Sequence, residues 1–176
     1  MMVIMAGLPG TGKSTLARAL AASRLGGAVL DKDVIRAALF EPGHVEYTAA
    51  QDDFCQEIML LTAGYLLGKD AGLHVFLDGR TFSKRYQRAR VEEFCREAGT
   101  GWATLECVCA EATAVRRIAE AAARGSHLAA NRTPELYRRI REGWEAIEGP
   151  KLVVDMDDDL DSCVELALGY MAGRLP

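Results

Sequence analysis

At 176 residues, 49% hydrophobic and 26% charged, the chain is long enough to bury one substantial core, and it reads as a single domain over 1–176. No stretch approaches the roughly 20 apolar residues that cross a bilayer, and a formal charge of −4 supplies no global attraction to nucleic acid. Five cysteines, an odd number with no C-x-x-C spacing, predict free thiols in a reducing cytoplasm.

The chain opens on an apolar run that predicts a strand over Met2–Ala6. Gly7-Leu8-Pro9-Gly10-Thr11-Gly12-Lys13-Ser14-Thr15 follows, a G-x-x-x-x-G-K-S motif leading into a helix over Lys13–Arg24. The glycines let successive N–H groups point into one concavity sized for a phosphate, and the helix adds the positive end of its dipole. Lys13 is placed to reach the β- and γ-phosphates, and the Ser14 hydroxyl to ligate Mg²⁺. A glycine-rich turn with no ligand is the rival reading. The strand before it and the helix after it supply the context that phosphate binding requires. A leader peptide is not expected, since removing it would destroy a motif that begins at Gly7.

A second strand over Ala28–Leu30 ends in Asp31-Lys32-Asp33-Val34-Ile35-Arg36, with a helix over Asp33–Phe40. In a parallel sheet ligands bind beyond the carboxyl ends of the strands, so Asp31 and Asp33 lie at the edge that carries the site. Asp33 and Arg36, three apart, face the same direction on a helix. Asp33 can take a hydroxyl proton, or it can simply cap the helix; both readings stand. The next helix, Thr48–Lys69, carries Phe54, Ile58, Leu61, Tyr65 and Leu66 at helical spacing, a stripe expected to face the core.

A third strand over His74–Leu77 runs into Asp78-Gly79-Arg80, the pattern that sets a carboxylate beside Mg²⁺. Arg80 lies nearest the strand end. Arg80, Lys84, Arg85 and Arg88 either line an acceptor pocket, form a basic track, or belong for the most part to the solvated face of a helix over Ser83–Ala98. A strand over Thr104–Val108 follows, on which Cys107 and neighbouring Cys109 share a face that suits core packing. The helix over Ala112–Ala123 carries Arg116 and Arg117 and leads to Arg124. The polar loop 124–133 is a candidate lid. Arg117 and Arg124, seven apart, share a helical face from which an arginine stabilises transition-state charge. Helices over Pro134–Glu148 and Leu160–Met171 flank a last strand at Leu152–Val154. The alternation predicts an α/β fold with a parallel sheet covered on both faces.

Taken together, the Gly7–Ser14 loop, Asp33-x-x-Arg36, Asp78 and the arginine-bearing lid resemble a small P-loop kinase. The group includes chloramphenicol phosphotransferase, zeta toxins, gluconate kinase and polynucleotide 5′-kinases (AAA_33-like P-loop NTPases). The resemblance implies a three-layer α/β/α P-loop NTPase fold with a five-stranded parallel sheet in the order 2-3-1-4-5 and a short lid. It also implies ATP with Mg²⁺ as donor and a hydroxyl acceptor. In polynucleotide kinases the Asp-x-x-Arg pair supplies a base and an acceptor contact, here Asp33 and Arg36. The usual lid Arg-x-x-x-Arg pair falls on Arg117 and position 121, which is alanine, with Arg124 one turn further on as a stand-in. Adenine packs near the loop after the last strand, here Asp155–Asp158.

The resulting expectation is an ATP-dependent phosphotransferase acting on a small-molecule or nucleic-acid 5′-hydroxyl. Gly7 to Thr15 and Arg117 bind nucleotide, Ser14 and Asp78 hold Mg²⁺, and Asp33, Arg36 and Arg80 bind acceptor. Lys13, Asp33 and Arg124 act in transfer. The alternative is an ATPase or switch with no acceptor. No Asn-Lys-x-Asp guanine-reading motif is present, and an Asp-x-x-Arg pair has no obvious use in a switch.

Overall fold

A run of strands each followed by a helix leaves no room for hairpins, so the strands must run parallel with helices on both faces. The computed structural model describes residues 1–124 and 133–173. In chain order its elements are β1 (Met2–Ala6), α1 (Lys13–Ala22), β2 (Ala28–Asp31), α2 (Lys32–Leu39), α3 (Ala49–Lys69), β3 (Val75–Asp78), α4 (Arg85–Glu97), β4 (Trp102–Val108), α5 (Glu111–Ala123), α6 (Pro134–Glu142), β5 (Leu152–Asp155) and α7 (Leu160–Met171). A 3₁₀ turn at Pro42–His44 precedes α3. The sheet order is β2-β3-β1-β4-β5 with every pairing parallel. This is the P-loop topology that the resemblance implied.

β1 lies at the centre and is apolar on both faces because both are covered: all five residues have zero exposure. Val3 and Met5 enter the core shared with Leu16 and Leu20 of α1 and with Ala167 of α7. Met2, Ile4 and Ala6 enter the opposite core, with Met59 and Leu60 of α3 and with Val91 and Cys95 of α4. Each large side chain buried this way contributes about 1.5–3 kcal/mol. Cys107 joins the first core, whereas Cys109 lies just past the end of β4 and packs beside Ile118 and Tyr137.

Two expectations are corrected. The stripe on α3 faces outward: Phe54, Leu61 and Tyr65 are 52%, 68% and 63% exposed. The face that turns inward is Gln51, Cys55, Gln56, Met59, Leu60 and Ala63. Both faces of α3 carry apolar residues at helical spacing, and β3 and α4 select the one with small residues and Met. The helix expected to run to Glu148 stops at Glu142 with Gly143 at its C-cap, a residue that favours helix ends over interiors. Beyond it Glu145 N–H donates to the Ser83 carbonyl at 2.9 Å, and Ile147 is buried against the second core.

Candidate active site

The phosphate loop lies where β1 leaves the sheet. Gly7 has φ 142°, and a Cβ there would stand 2.4 Å from the Cys107 carbonyl oxygen. Gly10 has φ 80°, and its Cβ would stand 2.6 Å from the Ala114 carbonyl oxygen. Both positions demand glycine because backbone, not side chain, occupies the space. Thr11 Oγ1 donates to the Leu8 carbonyl at 2.8 Å, and Gly7 N–H ties the loop to the Thr81 carbonyl at 3.1 Å. Lys13, 5% exposed, folds its ammonium back to donate to the Gly7 and Leu8 carbonyls, each at 2.7 Å. No side chain caps α1 and its first turn holds no acid, whereas Asp31, Thr48, Thr133 and Asp159 cap α2, α3, α6 and α7. The first-turn N–H groups of α1 are therefore left without a side-chain acceptor, the state in which a helix N-terminus can hold an anion. Ser14 is half-buried and Thr15 exposed in that turn.

Two carboxylates stand side by side at the ends of β2 and β3, where Asp31 and Asp78 are register partners. Asp31 is the N-cap of α2 and accepts from Asp33 N–H at 2.9 Å. The capping role thus belongs to Asp31, which leaves the Asp33 carboxylate to turn elsewhere. Burial, and then the facing Asp78 carboxylate, push the Asp31 carboxyl above its ordinary range. Asp78 is fully buried, and neither of its oxygens has a hydrogen-bond partner among the described residues. A buried carboxylate in that state needs a cation or water. A Mg²⁺ ion held by Asp78 and the Ser14 hydroxyl, with waters and phosphate oxygens as its other ligands, fits this donor set. No group of three or more His, Cys, Asp or Glu among the described residues could hold a metal without such outside ligands.

Beside the carboxylates lies a cleft of about 130 Å³ between the phosphate loop, α2, the segment after β3 and α6. Asp33 and Arg36, 5% and 3% exposed, both line it, and Arg36 Nη1 donates to Asp33 Oδ1 at 2.8 Å. Arg36 Nη2 also donates to Asp52, and its guanidinium lies 5.1 Å from the centre of the Tyr47 ring. Lys32 Nζ donates to the same Asp52 at 2.7 Å. Tyr47 sits at φ 51°, a costly backbone setting for a non-glycine residue. Gln51 secures that loop, accepting from Glu46 N–H at 3.0 Å and donating to the His44 carbonyl at 2.8 Å. Arg80, 3% exposed, lines the cleft too, braced by Gln56 at 2.8 Å and by Asp53.

The structure thus brings Lys13, Asp33, Arg36 and Arg80 together in one cleft. Arg117 stands apart from it: its Nη2 donates to the Met156 carbonyl at 2.8 Å, in the loop after β5. Met156 in turn abuts the phosphate loop, with its Cε 3.1 Å from where a Gly12 Cβ would be. Arg124 is not brought to the loop. Its side chain is 64% exposed, with Glu120 as an ion-pair partner at 3.9 Å. Of the candidate lid at about 124–133, residues 125–132 lie outside the described residues. Arg88 is structural, buried and donating to the Phe82 and Ala146 carbonyls. Lys84 and Arg85 pair on the surface with Glu145 and Glu148, at 3.3 and 3.0 Å. Lys32, Tyr47, Asp52, Gln56 and Arg139 escaped the sequence reading. Only the adjacency of Lys32 to Asp31 and Asp33 hinted at any of them.

A sequence profile described as an AAA domain, AAA_33, matches residues 2–159. The chain belongs to the AAA_33 family. Among curated proteins no sequence match is found. In fold, this AAA_33 domain is similar to a candidate kinase from Chloroflexus aurantiacus j-10-fl (TM-score 0.75, 23% identity, 99% of this chain and 98% of that one). It is also similar to a gluconokinase from Sinorhizobium meliloti 1021 (TM-score 0.66, 21% identity, covering 98% and 91%). A third similar structure is the Mycobacterium tuberculosis APS kinase CysC in complex with AMPPNP and APS (TM-score 0.70, 20% identity, covering 97% and 96%). At these identities the likeness establishes the fold that the AAA_33 domain shares with them. No helix among its described residues is long and apolar enough to cross a membrane.

Proposed function

We propose that the chain is an ATP-dependent phosphotransferase that moves the γ-phosphoryl group to a hydroxyl of a small molecule. The observation that carries this reading is the cleft in which the phosphate-loop lysine and a buried Asp33–Arg36 pair line the same space. A nucleotide switch has no use for a carboxylate so placed, and the kinases among the similar folds support the same choice.

The loop N–H groups and the first turn of α1 bind the phosphate chain, with Lys13 leaving its carbonyl contacts for phosphate oxygens. Met156 and Arg117 flank the loop on the side where the nucleoside lies. Mg²⁺ bound by Ser14 and Asp78 would neutralise phosphate charge. Asp33, fixed in orientation by Arg36, accepts the hydroxyl proton as the acceptor oxygen bonds to the γ-phosphorus. The bond from that phosphorus to the β–γ bridging oxygen breaks, and ADP leaves. Most of the rate comes from positioning and charge neutralisation, since transfer demands little covalent work of the protein. The small-molecule acceptor is favoured over a nucleic-acid end because Lys84, Arg85 and Arg88 are engaged by the protein's own carboxylates and carbonyls. The test is ADP release across nucleosides, sugars, hydroxy acids, antibiotics and 5′-hydroxyl oligonucleotides. Turnover should depend on a small acceptor; acceptor-independent hydrolysis alone would favour the ATPase reading.

A further inference from the structure

The charge balance of the acceptor cleft, taken on the phosphotransfer reading, narrows the class of acceptor. Its walls carry Lys13, Lys32, Arg36, Arg80 and Arg139 against Asp33 and Asp52, and Lys13 is held by the Gly7 and Leu8 carbonyls of the phosphate loop. Asp33 is taken up by Arg36, and Asp52 by both Lys32 and Arg36. Arg80 is answered by Asp53. That leaves Arg139, an exposed residue of α6 that lines the cleft with no carboxylate in pairing distance among the described residues. Its neighbours on α6 differ, since Arg138 pairs with Glu135 and Arg141 with Glu111. A second observation points the same way. The Nε atoms of Arg36 and Arg80 are buried and have no acceptor among the described residues, although both guanidinia line this cleft. Buried donors on charged groups are normally met, so these two guanidinia keep hydrogen-bonding capacity that the described residues do not use.

We propose that the acceptor is a small hydroxy anion: a hydroxyl compound bearing an oxyanion such as carboxylate, sulfate or phosphate. Arg139 binds the oxyanion from the α6 side, opposite Arg36 and Arg80, while the hydroxyl lies against Asp33. An arginine fork suits this role because its two N–H groups match two oxygens of one oxyanion. A neutral polyol could accept hydrogen bonds but would leave the Arg139 charge without a counter-charge. The cleft, about 130 Å³, is also small beside the several hundred Å³ typical of larger ligands.

The test separates this inference from the kinase reading on which it rests. Protein saturated with Mg·AMPPNP, so that the phosphate loop is filled, is titrated calorimetrically with sulfate, D-glycerate, D-gluconate and glycerol 3-phosphate. Glycerol and glucitol serve as neutral counterparts. The expected result is binding of sulfate and of at least one hydroxy anion, with none for the neutral compounds. Arg139→Gln should weaken that binding about tenfold or more, Arg139→Lys should recover part of it, and AMPPNP affinity should not change in either. Equal binding of neutral and anionic compounds would overturn the proposal. So would no oxyanion binding to the loaded protein, or undiminished binding by Arg139→Gln. Failure of AMPPNP itself to bind is a separate, earlier result that overturns the kinase reading.

Discussion

Asp31 and Asp78 meet as register partners at the sheet edge, and the cost of that meeting can be measured. Burial and the Asp78 charge raise the Asp31 carboxyl in the folded state, so the fold holds that proton more tightly than the unfolded chain does. The penalty is therefore present at neutral pH and is relieved as pH falls through the raised value. Asp31→Asn keeps a side-chain oxygen for the Asp33 N–H and removes the charge. Its melting temperature should exceed the parent's at pH 7, and the gap should close as pH approaches about 4, the ordinary carboxylate value. Asp33→Asn should lower transfer by about 10²–10⁴-fold while AMPPNP affinity stays within a few-fold, read by steady-state rates and calorimetry. Full activity in that variant would remove Asp33 from the role of base. Asp78→Asn should weaken AMPPNP binding in Mg²⁺ but leave the Mg²⁺-free affinity nearly unchanged.

At the scale of single elements, the phosphate loop was legible because its spacing, its glycines and its flanking strand and helix all say the same thing. The loop's demand for glycine at 7 and 10 rests on the Cys107 and Ala114 carbonyls, which only the fold reveals. α3 was not legible. Its 21 residues carry two apolar stripes, and spacing cannot say which one meets β3 and α4. The correction has a direct check in urea denaturation. Met59→Ala should cost about 2–5 kcal/mol as a core truncation. Leu61→Ser should change stability by no more than about 0.5 kcal/mol, as a surface substitution. α2 shows a third case: sequence alone left Asp33 poised between base and cap, and one bond, from Asp33 N–H to Asp31, decides against the cap.

Over the whole molecule, the alternation of strands and helices was enough to foresee a parallel sheet, and its strand order is the one that the resemblance to P-loop kinases implied. The walls of the cleft proposed to hold the acceptor were not foreseeable, because they come from segments far apart in the chain. Asp52 meets Lys32 and Arg36 from 20 and 16 residues away, and Arg139 arrives from α6. Nothing in the run Arg138-Arg139-Ile140-Arg141 tells which arginine faces the cleft. The proposed function as a whole rests on one expectation, that the loop of residues 7–14 grips a polyphosphate. The most direct measurement is calorimetric titration of Mg·AMPPNP into the parent protein and into Lys13→Ala, with circular dichroism confirming that both are folded. Saturable one-to-one binding by the parent and a loss of at least about tenfold in the variant is the predicted result. No heat from the folded parent, or equal affinity in the two, would contradict it.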